Sequence, residues 1–378
     1  MVVDWFRHLD DAWAEKYLVT TLPRENVWLE RITDRASGVW DLPAAGCLTP
    51  GRIGRVLDEI VVTKGIDVLH IMNSDAAFFA LPRLKKRFPA LRVVAQFHCF
   101  DYLFDGRRAG HACEIPPLYD PLIDCYNIEY PGLGDEIRGL YPFVAREKFR
   151  CIHGGIDTGE FDPARRAPNP EIAARRRERC LNLLFIGRLD RQKQPLRLLA
   201  VVAGLRRRGV ACYLHVVGDG SLDSFRERFR DEIRRLDLRE CVGWYGEQPP
   251  ESLYDWYRIA DLLLLTSDWE GVPMVLYQAL AMAVVPVVAK VGGCAELVPP
   301  ECGFLVSPPD RIDAYVEVIT ALAADRKRRR ELGRAGRERM RHFFSHAALD
   351  REYYNLYRNL LSCSVSFSEE PVSSAPMS

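Results

Sequence analysis

Residues 260–289 read Ala-Asp-Leu-Leu-Leu-Leu-Thr-Ser-Asp-Trp-Glu-Gly-Val-Pro-Met-Val-Leu-Tyr-Gln-Ala-Leu-Ala-Met-Ala-Val-Val-Pro-Val-Val-Ala. Two short, continuous apolar runs, 262–265 and 286–289, are too brief for helices and read as strands buried on both faces. A helix is expected between them, with Ser267 and Asp268 as capping candidates and Pro273 in its first turn. Its apolar face would be Val275, Leu276, Ala279, Leu280 and Met282. Strand, loop, helix and strand make a parallel crossover unit, and hence an α/β fold.

The loop of that unit carries Glu270 and Gly271 beyond the carboxyl end of a parallel strand, just ahead of a helix N-terminus. Ligands of open α/β sheets bind there, and the free N–H groups of the helix favour an anion. A carboxylate in this setting is suited to accept hydrogen bonds from hydroxyls attached to that anion, as a sugar phosphate offers. The competing interpretation is that Glu270 only caps the helix.

Working outward, 378 residues are enough for two domains of ordinary size, and 48% apolar with 28% charged residues describes a globular protein. Lys+Arg and Asp+Glu balance at 52 each, which gives no net field to draw nucleic acid as the main partner. Eleven scattered cysteines without a Cys-x-x-Cys indicate neither a disulfide framework nor a zinc site, and a reducing cytoplasm fits best. Charges at Asp4, Arg7 and His8 stand where a signal peptide needs its apolar core, and no stretch approaches the ~20 apolar residues of a membrane span.

In chain order, a helix is expected over 3–14, a strand over 17–21, a helix over 51–64 and a strand over 68–72. A helix over 76–88, strands over 93–97 and 124–126, and a helix over 134–140 follow, the alternation of a parallel sheet. His98 ends the 93–97 strand, where histidine is commonly a satisfied structural residue. Residues 164–179, rich in Pro, Ala and Arg, read as a solvated linker. The second domain is expected to open with a strand over 181–186, which leads into Gly187, Arg188 and Lys193, groups suited to a diphosphate but also to plain solvation. A strand over 213–217 ends in Gly218-Asp219-Gly220, a good turn sequence, and the next, over 242–246, brings Tyr245 and Gly246 to the same edge. A helix over 325–341 carries a dense run of Arg and Lys, for which a solvated face and contact with an anionic membrane are the two interpretations. A final helix over 346–361 precedes a Ser-rich tail, 362–378, expected to be disordered.

Glu270-Gly271-x-Pro273 with its Ala-rich helix and Pro-Val-Val-Ala resembles the donor-site pattern of retaining glycosyltransferases of family 4 (glycosyl transferases group 1). Gly187-Arg188-Leu189, the later Lys193, Gly218-Asp219-Gly220, Gly292-Gly293-x-x-Glu296 and 302–306 match in the family's order. The resemblance is dense over 181–345 and thinner before residue 150. It implies a GT-B architecture, two Rossmann-like domains facing a cleft, with an acceptor-side domain over 1–155, a hinge over 156–180 and a donor domain over 181–345. The helix over 346–361 would return to the first domain. The family opens with a strand and Gly-rich loop ahead of a helix like 3–14, so the first domain is expected to be N-terminally incomplete.

By the same resemblance the chain would move a sugar from a UDP- or GDP-type donor, with retention and without metal or cofactor, to a growing glycan or a lipid-linked sugar, acting in the cytoplasm or at the inner face of a membrane. Glu270, His98, Arg188 and Lys193 take the catalytic roles, Glu270 by orienting sugar hydroxyls and the basic pair by neutralising the diphosphate. Donor contacts fall to Gly187, Arg188, Lys193, Gly218, Tyr245, Gly271, Pro273, Met274, Val275 and Gln278. The family's second acidic residue stands eight positions after the first; here it is Gln278. Two rival functions are an impaired, nucleotide-sugar-binding relative and a sugar epimerase of the same fold.

Overall fold

The structure, a computed structural model, describes residues 6, 9–23, 29–47, 49–165, 167–220 and 222–362. Its first domain contains β1 (Tyr17–Thr20) and β2 (Gly38–Asp41), which pair in parallel, and a separate parallel sheet of β3 (Val68–Met72), β4 (Arg92–Phe97), β7 (Cys125–Ile128) and β8 (Phe149–Cys151). A short antiparallel hairpin, β5 (Asp101–Tyr102) with β6 (Arg108–Ala109), leaves the carboxyl end of β4. The helix Pro50–Lys64 carries the chain from β2 to β3; it starts at a proline and ends at Gly65 in the left-handed conformation (φ 60°), where glycine carries no steric penalty. The helix Asp75–Arg87 is capped by Ser74, whose side chain accepts from the Ala77 N–H.

A six-stranded, all-parallel sheet forms the second domain, in the order β11-β10-β9-β12-β13-β14. These strands are β9 (Leu181–Ile186), β10 (Cys212–Val217), β11 (Val242–Trp244), β12 (Leu262–Leu265), β13 (Val285–Ala289) and β14 (Phe304–Val306). This is the doubly wound order of a Rossmann-like domain, in which the chain reverses direction of winding between β9 and β12. Every residue of β9, β10, β12 and β13 is buried, as continuous apolar strands covered by helices on both faces require. The opening stretch therefore folds as read: strand, loop, helix Met274–Ala281, strand.

The last helix, His346–Ser362, lies on the first domain. Its Tyr353 hydroxyl accepts from Asn127 at 3.0 Å, Tyr357 meets His70 Nδ1 at 2.8 Å, and Leu349, Tyr353 and Leu356 share an apolar cluster with Leu9, Val94, Cys125 and Ile152. A cavity of about 1340 Å³ runs from between the β1 and β3 edges to the second domain, lined by both strands, by the helix Pro50–Lys64, by Tyr354, Tyr357 and Leu361 of the last helix, and by Pro250, Leu253, Met274, Val275 and Gln278. Among the described residues no strand joins β1 to β3. On the doubly wound plan this is the central position, which the second domain fills with β9.

Several expectations need correction. Of the helix expected over 3–14, residues 1–5 and 7–8 lie outside the described residues, and 9–14 is a bend and a turn. The Asp10 carboxylate accepts from the Ala12 N–H at 2.8 Å, a local bond that competes with helix, and Trp13 packs on Tyr354. β2 is an addition to the expected elements, since its four residues carry no clear alternation. β7 begins one residue late, and the following helix, Pro131–Leu140, begins three residues early because Pro131 can open a helix. The stretch 164–179 is more than a solvated linker: it contains the helix Pro170–Ala173, capped by Asn169, and Arg176 is fastened to Asp261 at 3.1 Å. Neither Ser267 nor Asp268 caps the helix Met274–Ala281, whose first residue follows Pro273. The tail expected over 362–378 lies outside the described residues after Ser362.

Candidate active site

Where winding reverses, the loops after β9 and β12 diverge and open a crevice at the carboxyl edge of the sheet. Lys193 comes from the first loop and Glu270 from the second. The Lys193 ammonium donates to both Glu270 oxygens, at 2.7 and 2.8 Å, and the Ser267 hydroxyl donates to Oε1 at 2.6 Å. The Glu270 side chain is 5% exposed and that of Lys193 16%, so the pair is largely shielded from water. Glu270 is accordingly held by side chains rather than acting as a helix cap. Asp268 is bound from the same side by Arg197 at 2.6 Å and Gln194 at 2.6 Å.

The first domain closes over this loop. His98 follows β4 and Glu129 follows β7, and His98 Nδ1 lies in hydrogen-bond contact with Glu129 Oε1 at 2.8 Å. A second Glu129 oxygen accepts from the Val272 N–H at 3.3 Å. Gly271 has no side chain to spare here, since a Cβ would come within 2.7 Å of the His98 carbonyl oxygen. Gly292 (φ 49°) presses against the Glu270 carbonyl from the other side, and the Gly293 N–H donates to the Gly271 oxygen at 2.8 Å. On the outer side the β5–β6 hairpin reaches the second domain: Arg191 donates to the Leu103 oxygen at 2.7 Å, and the Tyr102 ring lies 5.3 Å from that of Trp269. Burial, reinforced by Asp101, Glu270 and Glu129, pushes the neighbouring Cys99 thiol up to about 12, which keeps it protonated and unreactive at neutral pH.

The other candidate residues divide. Arg188 stands at the exposed rim, bound to Asp190 at 3.1 Å and Gln192 at 3.0 Å. Gly187 and Gly218 meet backbone to backbone: Gly218 has φ 123°, and a side chain there would run into the Gly187 carbonyl. Tyr245 is engaged elsewhere. Its N–H donates to Val216, its carbonyl accepts from Gln248, and its ring packs 4.5 Å from Trp256. Met274, Val275 and Gln278, the residues just past Pro273, line the large cavity rather than the Lys193–Glu270 pair. Gln278 Oε1 accepts from Tyr257 at 2.8 Å, and the buried Tyr257 hydroxyl is raised well above its usual range by desolvation.

Sequence reasoning missed Glu129, Ser267 and Trp269. A glutamate next to a helix start looks like an ordinary capping acid, and its partners, His98 and the Val272 N–H, lie 31 and 143 positions away. The basic run is partly spent on the protein itself, with Arg337 on Asp162 at 2.7 Å and Arg339 on the Glu296 carbonyl at 2.8 Å. Among the described residues, no cluster of His, Cys, Asp or Glu is placed to hold a metal, and no helix is long and apolar enough to cross a membrane.

Residues 173–339 match the family model described as "Glycosyl transferases group 1". Among curated proteins, the chain is similar to an alpha-maltose-1-phosphate synthase of Mycolicibacterium smegmatis, 28% identical over 242 residues, 61% of each chain. It is also similar to a D-inositol 3-phosphate glycosyltransferase of Segniliparus rotundus, 33% identical over 195 residues, 50% of this chain and 42% of the relative. The alignments thus span 61% and 42% of these relatives' own lengths. Among solved structures, the Anabaena protein HepE in complex with UDP and glucose superposes with a TM-score of 0.70 at 15% identity, over 91% of this chain and 99% of that one. At that identity the likeness is one of fold, and the fold is GT-B.

Proposed function

With a group 1 glycosyl transferase domain on a GT-B fold as the premise, we propose that the chain transfers a sugar from a nucleotide diphosphate donor to a hydroxyl acceptor, with retention of configuration and without a metal ion. The observation that carries this reading is the meeting of Lys193 and Glu270 at the β9/β12 switch point, under His98 of the opposite domain. A leaving diphosphate gathers negative charge, and fixed cations at that point supply the dominant catalytic term. Lys193 and Arg188 are the cations assigned to the diphosphate; Arg191, in the same loop, is spent on the Leu103 carbonyl. Glu270, once Lys193 turns to phosphate, presents two acceptor oxygens to sugar hydroxyls, a positioning role that requires no covalent attack.

The donor base and ribose would lie toward Gln278, Val275 and Met274, on the wall of the cavity. Gln278 supplies one acceptor oxygen where the family's carboxylate has two, and that oxygen already serves Tyr257. A weaker ribose contact follows, on the order of 1–3 kcal/mol. The acceptor would be a growing glycan or a lipid-linked sugar, met at the first domain.

Thermal unfolding with millimolar UDP, GDP or ADP tests this, because a ligand that binds only the folded state raises the midpoint. The expected result is a shift with one nucleotide that Arg188→Ala reduces, and transfer activity that Glu270→Ala lowers by roughly 100-fold or more. Nucleotide binding without transfer to any sugar acceptor would favour the impaired relative. Turnover of the donor with no acceptor present would favour the epimerase. No shift with any nucleotide would sink the donor-site assignment.

A further inference from the structure

We propose that Glu129 is a positioning residue that sets the proton of His98 and fastens it to the Glu270 loop of the other domain. The carboxylate is 2% exposed, and among the described residues it has no Lys or Arg within ion-pair distance. Its hydrogen-bond partners are His98 Nδ1 at 2.8 Å and the Val272 N–H at 3.3 Å, one from each domain. A buried carboxylate is costly unless such partners compensate it, and a site that needed only packing would be better filled by an apolar side chain.

Two consequences follow from this geometry. A carboxylate only accepts, so the imidazole must carry its proton on Nδ1, and Nε2 is left as the nitrogen available to a hydroxyl. The Val272 N–H, two residues after Glu270, is occupied by an in-house carboxylate. Because the same side chain holds His98 and Val272, the imidazole is in register with Glu270 only when the domains are closed. The close approach of Gly271 to the His98 carbonyl and to Glu129 Oε2, 3.3 Å from where a Cβ would stand, fixes the same register from the backbone side. Sequence spacing gives no hint of this, since Glu129 and Val272 are 143 positions apart.

The catalytic part of this assignment rests on the transferase reading, and the test separates the two. In the full 15N-His-labelled chain, with His98→Asn used to assign the resonances, the wild type is expected to show the Nδ1-protonated tautomer of His98. Glu129→Gln should perturb it and Glu129→Ala should release it toward the Nε2-protonated or exchanging form. In transfer assays Glu129→Gln should lower kcat by roughly 10- to 100-fold while the donor KM moves less than about twofold, the pattern of a group acting in the transition state rather than in donor binding. An unchanged His98 spectrum in both variants overturns the proposal. So does a variant in which kcat, donor affinity and melting temperature all fall together, the mark of a merely structural residue. If the wild type transfers nothing, the transferase reading has failed, while the tautomer measurement still decides what Glu129 does.

Discussion

The two domains are built on one plan and differ at its centre. In the second, β9 lies between β10 and β12 and ties all six strands into one sheet. In the first, β1–β2 and β3–β4–β7–β8 face each other across a 1340 Å³ cavity, and the strand residues lining it are mostly half-buried. Among the described residues no strand joins these two edges. The last helix braces the first domain: Tyr353 and Tyr357 bond to Asn127 and His70, and Asp350 accepts from the Asp10 N–H at 3.0 Å. The last helix thus packs on the first domain through contacts made more than 200 positions away in the chain.

This contrast can be tested by paired substitutions. The largest effect is expected at glycines. Gly218→Ala in the second domain places a methyl group against the Gly187 backbone at φ 123°, and should cost on the order of 4 kcal/mol. Gly65→Ala in the first, at φ 60° with open space around it, should cost about 1 kcal/mol. Urea unfolding of the two variants measures both, and equal losses would contradict the difference in packing. Next come the cores. Leu264→Ala in fully buried β12 is expected to lose about 3 kcal/mol, whereas Leu69→Ala in β3, beside the cavity, should lose about 1 kcal/mol because the removed atoms were only partly packed. Similar values would mean that the cavity is filled in solution.

The smallest effect at neutral pH is a pair of histidines. Burial lowers His70 in the first domain to about 3 and His215 in the second to about 4. Each is neutral when folded and protonates near 6.5 when unfolded, so the unfolded state binds more protons between those values. Their stability contribution is complete above pH ~6.5 and falls as pH drops toward 4 and then 3. Melting followed from pH 7 to 4 should show a shallower acid loss in His70→Gln and in His215→Gln than in the wild type. Identical slopes in all three would show that these side chains are not neutral in the fold.

Much of the candidate site was legible because local rules fix it. Apolar runs of four to six residues, each ending in a glycine or polar loop, mark β9, β10, β12 and β13, and the loops at their carboxyl ends carry Lys193 and Glu270. The glycines at 187, 218, 271, 292 and 293 read as turn and motif positions, and the fold supplies what lies against them: Gly271 meets the His98 carbonyl. What could not be read were the partners. The sequence offers Lys193 for phosphate and Glu270 for sugar, yet the fold pairs them with each other. Tyr245, a donor contact by resemblance, has Trp256, Val216 and Gln248 as its partners in the fold, none of them apparent from spacing.

By itself the sequence determined the secondary elements of the second domain, the loops that hold its charged groups and the kinship those loops express, because periodicity, glycine and proline act over a few residues. Only the tertiary structure decided which residues the last helix meets on the first domain, the lining of the cavity beside β1 and β3, and the Glu129 bridge from His98 to Val272. Those depend on which surfaces meet across hundreds of residues, and the free energy of burying a carboxylate or leaving a strand edge open is set by the neighbour that arrives, not by the residue that waits.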